Sequence, residues 1–233
     1  MTRGKICVSI AAQDAKSVSA QVRAIADCVD VVEVRLDAMA EPEVAKCCSL
    51  LQKPLLFTNR PLWEGGEFAG FEDDRIAPLF TAIELQAAYV DFELRADPLL
   101  RKQLLQAMES APTRMIVSWH DFKSTPADSD LEDILQQMLK SGAHIGKIVT
   151  TAAEKTDLLR LIKLQEKALA KEFSLSCFAM GEVGRISRLA TLYMGGYMSY
   201  GAVNASQATA PGQLSVRQLH ALCEQFEKVE SED

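Results

Sequence analysis

Short β-rich runs recur along this chain with amphipathic stretches between them, and that alternation constrains the fold more than any other feature. The runs lie at 5–10, 31–37, 54–60, 89–94, 114–122, 146–151, 173–180 and 197–203. Between them, apolar residues fall at helical spacing, as with Leu158, Leu159, Leu161, Ile162, Leu164 and Leu169, or Leu131, Ile134, Leu135, Met138 and Leu139. Asp128, Ser129 and Asp130 are candidate caps for the second of these helices, and Gly142 marks its end. Strands alternating with helices imply parallel pairing and right-handed crossovers. A doubly wound open sheet and a closed (β/α)8 barrel both satisfy that rule. The turn after the first strand, SIAAQDAKS, lacks the GxGxxG of a dinucleotide fold. Eight units of similar length in 233 residues favour a single-domain α/β (β/α)8 TIM barrel over residues 1–233.

The polar residues on these strands point to a site. A barrel interior is normally filled by branched apolar side chains. Here polar residues recur with period two toward the strand ends: Glu33, Arg35 and Asp37; Thr58 and Arg60; Asp91 and Glu93; Ser118 and His120. Residues two apart on a strand share a face. If those faces point inward, carboxylates, guanidiniums, a hydroxyl and an imidazole meet at the barrel mouth, where catalytic groups of such barrels sit. A solvated outer face or a salt-bridged plug is the competing explanation. Lys147 lies in HIGKIVTTA, inside an apolar run. It reads either as a lysine that snorkels out at the strand edge or as an inward amine, with burial and nearby cations such as Arg35 driving its pKa down to make a nucleophile. Of the three histidines, His120 in SWHDF sits at a strand end, whereas His144 and His220 read as structural.

Three further features adjoin the strand ends. The segment 63–74, WEGGEFAGFEDD, carries Glu64 and three glycines and is long enough to bend over the mouth. The segment 205–213, ASQATAPGQ, has the small residues of a mobile lid. Arg188 lies near the start of the seventh helix, where guanidinium and helix N-terminus both attract an anion.

Composition excludes other classes of partner. The formal net charge is −7 and the pI about 5.1, which argues against nucleic acid and an anionic membrane surface. No run approaches the length of a membrane span, and the N-terminal apolar run is too short for a signal segment. The six cysteines form no CxxC pair and read as reduced thiols of a cytoplasmic protein, with no metal site.

The ordered motifs VVEVRLD, TNR…EGGE, YVDFEL, SWHDF, GKIV, MGEVGRISR and APGQ resemble the type I 3-dehydroquinate dehydratases, across nearly the whole chain. The resemblance implies dehydration of 3-dehydroquinate to 3-dehydroshikimate through a Schiff base. It gives Lys147 the role of imine-forming lysine, His120 that of general acid/base, and Glu64 that of the carboxylate orienting it. It places Ser9, Glu33, Arg35, Arg60, Met180, Arg188, Thr209 and Gln213 against substrate, with Arg188 on its carboxylate and Gln213 closing from the lid. It implies no metal or organic cofactor, and a homodimer. Two positions depart from the pattern: Phe178 stands where methionine is frequent, and Thr209 where serine is usual. A class I aldolase and a silent ligand-binding barrel are the rival readings. The first would need a phosphate site in the last two loops; the second would have no reason to keep Lys147, His120 and Glu64 together.

Overall fold

Eight parallel strands form one sheet in a computed structural model that describes residues 3–228; residues 1–2 and 229–233, the ends of the expected 1–233 domain, lie outside it. The strands are β1 (Lys5–Ile10), β2 (Val31–Arg35), β3 (Leu55–Thr58), β4 (Tyr89–Glu93), β5 (Arg114–His120), β6 (Ile145–Thr151), β7 (Leu175–Met180) and β8 (Met198–Gly201). Each is followed by a helix: α1 (Ala15–Arg23), α2 (Val44–Leu50), α3 (Glu72–Glu84), α4 (Pro98–Met108), α5 (Asp128–Lys140), α6 (Lys155–Ala170), α7 (Gly181–Tyr193) and α8 (Val216–Lys228). Strand order is β7-β6-β5-β4-β3-β2-β1-β8. Between β8 and β7 the ladder is replaced by two bonds. The Tyr197 N–H donates to the Leu175 carbonyl at 2.8 Å, and the Met198 N–H donates to the Ser176 hydroxyl at 3.1 Å. The result is a nearly closed TIM barrel, as the alternation predicted.

Strand bodies fall where the β-rich runs do, but several ends are shorter. Leu36–Ala38 turns into a 3-10 helix, and Asn59 and Arg60 lie past the end of β3. In both places an Asp37 carboxylate oxygen takes over from the ladder. Oδ1 accepts the Arg60 N–H at 3.1 Å and Oδ2 the Glu67 N–H at 3.0 Å, leaving the strand ends free to splay into the mouth. The caps expected for α5 are also displaced. Ala127 is the cap, and Asp128 and Asp130 sit inside the first turn, where their charge acts on the helix dipole instead of on an orphan N–H. Helix α6 does have a capping box, between Glu154 and Asp157.

Packing follows period two on the strands. Outward residues such as Ile6, Val8, Val32, Val34, Phe57, Val90 and Phe92 pack beneath the helices. Inward residues divide by height. At the N-terminal end Cys7, Val31, Leu56, Tyr89, Ile116, Ile145 and Met198 make an apolar floor. One step along the same rows stand Ser9, Glu33, Thr58, Asp91, Ser118 and Lys147, all buried. The floor seals the barrel, and the polar layer above it has only the mouth to open into. All six cysteines are unpaired; Cys28 and Cys48 are only partly buried. Among the described residues no helix is long and apolar enough to cross a membrane.

Candidate active site

A cavity opens at the C-terminal ends of the strands. Its lining includes every residue to which the family resemblance gives a role, Ser9, Glu33, Arg35, Arg60, Glu64, His120, Lys147, Met180, Arg188, Thr209 and Gln213, whereas Asp37, Thr58, Asp91, Glu93 and Ser118 lie outside it. It also includes Phe122, Val149, Phe178 and Tyr200, which sequence reasoning did not place there because apolar residues on a strand carry no mark of which face meets a ligand. The residues come from six strands, from the loops after β3, β5 and β8, and, for Arg188, from α7.

Lys147 points inward from the middle of β6 and is 5% exposed, so it does not snorkel out. Its nearest charges differ from expectation. Nζ lies 3.4 Å from Asp91 and 3.6 Å from Glu33, while Arg35 is turned away onto Asp37 at 2.5 Å. The ladder does not place them side by side: Lys147 pairs with Ser118 and Ser176, and Asp91 with Thr58 and Ile116, so the two carboxylates reach Nζ through the barrel interior. Nζ also sits 4.0 Å from the centre of the Tyr200 ring. Ring face and carboxylates together surround the amine with groups that stabilise a cation.

Arg60 organises the opposite wall. Its guanidinium reaches Asp91 at 2.9 Å, Glu93 at 2.8 Å and the Ser118 hydroxyl at 2.6 Å. Ser118 donates to Asp91 at 2.6 Å, and Thr58 donates to Glu33 at 2.8 Å. Burial alone would push the Asp91 carboxyl up, but Arg60, Lys147 and the Ser118 bond outweigh it and hold it below its usual range. Glu93 is shared with Arg75, which reaches it at 2.6 Å from α3 and is fully buried. Arg75 also pairs with Glu72 at 2.8 Å, and no feature of the sequence marks its inward contact.

His120, at the tip of β5, meets Glu64 from the loop after β3. Glu64 Oε1 lies 3.0 Å from His120 Nδ1 and accepts the His120 N–H at 2.9 Å. An acceptor at Nδ1 assigns the ring proton there and directs the Nε2 lone pair away from Glu64. Burial, followed by the charges of Arg60, Lys147, Arg35 and Arg95, holds the imidazole well below its usual pKa. Burial pushes the Glu64 carboxyl up to about 7, against the pull of Arg60 and Arg95. The Phe122 ring stacks on His120 at 6.0 Å.

Arg188 stands apart from these pairs. It lies more than a turn into α7, deeper than the sequence placed it, so any attraction it exerts on an anion is its own rather than the helix N-terminus's. The side chain is 1% exposed; one Nη donates to the Tyr200 carbonyl at 3.1 Å and the guanidinium lies over the Phe178 ring at 4.8 Å. Nε and the other Nη are buried without a partner among the described residues. Burial alone lowers its pKa to about 10. A buried cation with two free donors facing a cavity matches a planar anion such as a carboxylate. Phe178, in the place of a methionine, supplies the ring beneath it. Above, Gln213 Oε1 accepts the Thr209 N–H at 2.8 Å and lies 3.2 Å from its hydroxyl, which folds the 205–213 segment over the rim. The arrangement supplies an amine, a neutral base with its orienting carboxylate, and an anion receptor around one cavity.

Comparison with known proteins agrees with this geometry. A family model described as type I 3-dehydroquinase matches residues 6–229. The 3-dehydroquinate dehydratase of Desulfotalea psychrophila is 40% identical over 219 residues, covering 94% of this chain and 96% of the relative. A bifunctional 3-dehydroquinate dehydratase/shikimate dehydrogenase from Arabidopsis thaliana is 34% identical over 82% of this chain, which spans 32% of that longer protein. The type I 3-dehydroquinate dehydratase of Clostridium difficile, solved with covalently modified comenic acid, superposes with a TM-score of 0.87 at 26% identity, covering 98% of this chain and 94% of that one. The chain therefore belongs to the type I 3-dehydroquinase family.

Proposed function

We propose that this protein is a hydro-lyase of the shikimate pathway that converts 3-dehydroquinate to 3-dehydroshikimate through an imine on Lys147. The observation that carries the reading is the convergence of Lys147, the His120–Glu64 pair and the unpaired Arg188 on one cavity. Arg188 binds the substrate carboxylate and so sets the ring against the other groups. Glu33 and Asp91 are the nearest groups able to take a proton from Nζ. The amine adds to the ring ketone and expels water, leaving a protonated imine over Tyr200. His120, neutral, takes the proton from the adjacent carbon, and the electron pair moves into the imine as an enamine. The enamine then expels the β-hydroxyl, which leaves as water with the proton His120 returns. Hydrolysis of the conjugated imine frees the product and the lysine, for a net loss of one water. Acid–base assistance of this kind contributes about 10²–10⁴ in rate.

Ser9, Glu33, Arg35, Arg60, Met180, Thr209 and Gln213 form the remaining walls against the ring hydroxyls. Membership of the family supports a homodimer, and the unpaired cysteines fit a cytoplasmic location. Sedimentation at 25.6 kDa at every concentration would contradict the dimer. The activity is tested by incubating the purified protein with 3-dehydroquinate and following the conjugated enone by ultraviolet absorbance. Turnover that Lys147→Ala abolishes is the expected result; turnover retained by that variant would contradict the assignment.

A further inference from the structure

We infer that Arg95 is a positioning residue for the Glu64–His120 pair, clamping both members from outside the cavity. Arg95 follows β4, in the turn before α4, and is about half exposed. Its Nε donates to Glu64 Oε2 at 3.0 Å. One Nη lies 3.0 Å from the same oxygen and donates to the His120 carbonyl at 2.6 Å. The guanidinium plane is steadied over the Trp119 ring at 5.4 Å. Glu64 uses its other oxygen for the His120 N–H and Nδ1. The three residues thus close a ring: Arg95 holds Glu64, Glu64 holds the His120 backbone and imidazole, and the His120 carbonyl returns to Arg95. Each Arg95 side-chain hydrogen bond goes to a group that sets the imidazole's direction, and Arg95 does not line the cavity.

The charges facing this pair are Arg60 beyond β3, Glu93 on β4, Lys147 on β6, Arg35 on β2 and Arg95 itself. Arg60 is already saturated by Asp91 and Glu93, whereas Arg95 bonds Glu64 directly. Its positive charge favours the carboxylate form of Glu64, the form that accepts Nδ1–H, and the neutral form of His120. Loss of Arg95 therefore moves both groups in the same direction, toward protonation at higher pH.

The inference rests on the acid–base roles proposed above. Its test is the pH profile of kcat/KM, with kcat and KM, for Arg95→Gln and Arg95→Lys. In Arg95→Gln we expect kcat to fall about tenfold with KM within about twofold of the parent, and the ascending limb to move alkaline by about one unit. In Arg95→Lys the retained charge returns the limb toward its original position. The rate stays reduced, because an ammonium cannot span a carboxylate and a carbonyl as a flat fork does. A limb that stays in place in Arg95→Gln overturns the inference, whether or not kcat falls, since a loss of folded protein scales the profile without moving it. An inactive parent protein would overturn the proposed function and the inference together; an active parent with an unmoved limb overturns the inference alone.

Discussion

Arg188→Met should make the protein more stable and a much poorer enzyme. Burial lowers the guanidinium pKa from its ordinary value to about 10, so below pH 10 the charged side chain opposes folding by about 3 kcal/mol. The sign follows from the shift: a cation disfavoured in the folded state carries its full cost below the folded pKa, and loses it only as pH rises through about 10 toward the ordinary arginine range. Its hydrogen bond to the Tyr200 carbonyl and its place over the Phe178 ring offset about 1 kcal/mol each. Methionine fills much of the volume without charge, so a net stabilisation of about 1 kcal/mol remains. In a chain of this size that raises Tm by about 2–4 °C. The substrate carboxylate then loses a buried charge-assisted partner, worth about 2–5 kcal/mol, and KM rises at least about 30-fold. The assay pairs a thermal melt at neutral pH with Michaelis–Menten kinetics on the same preparation. A lower Tm, or an unchanged KM, would refute the reasoning, because the first means the cation is satisfied and the second means it binds nothing.

Other perturbations separate the remaining parts of the site. Arg60→Met should lower stability by about 3 kcal/mol in chemical denaturation, the opposite sign to Arg188, because it removes the shared cation between the buried Asp91 and Glu93 carboxylates and leaves only Lys147 and Arg75 to balance them. The kcat/KM profile should rise with pH through about 7, as Glu64 loses its proton and becomes the acceptor for Nδ1–H while His120 stays neutral; Glu64→Gln should remove that limb and lower kcat by about 10²-fold. Gly212 has φ +72°, and a Cβ there would strike the Gly181 carbonyl at the head of α7. Gly212→Ala should therefore raise KM with little change in Tm, as measured by steady-state kinetics and a melt, because it disturbs the lid segment and not the barrel.

The barrel was legible because its strands obey two periods at once. Apolar residues face the helices, and along several inward rows the chemistry changes from apolar to polar or charged, as Val31 gives way to Glu33 and Arg35, Ile116 to Ser118 and His120, and Ile145 to Lys147, while Phe178 and Met180 on β7 and Tyr200 on β8 stay apolar. That switch, repeated on neighbouring strands, marks the mouth. What stayed hidden depended on contacts between units. The neighbours of Lys147 come from other strands across the barrel interior, which no single strand encodes, and so the expected Arg35 gave way to Asp91 and Glu33. Arg75 sits on a helix three residues from Glu72, a spacing that mimics a surface pair, yet it reaches through to Glu93. Arg95 lies in a turn, where no periodicity assigns a direction to a side chain. Ala127 as the cap of α5 shows the same limit, since three polar residues in a row leave the boundary undetermined to within a turn.

The central claim is that Lys147 is the nucleophile, and borohydride trapping tests it most directly. The protein is incubated with 3-dehydroquinate, reduced with sodium borohydride, digested and mapped by peptide mass spectrometry. The account predicts a reduced adduct on Lys147 and loss of activity in proportion to labelling. A preparation that dehydrates the substrate yet gives no adduct, or gives one on another lysine, would contradict it.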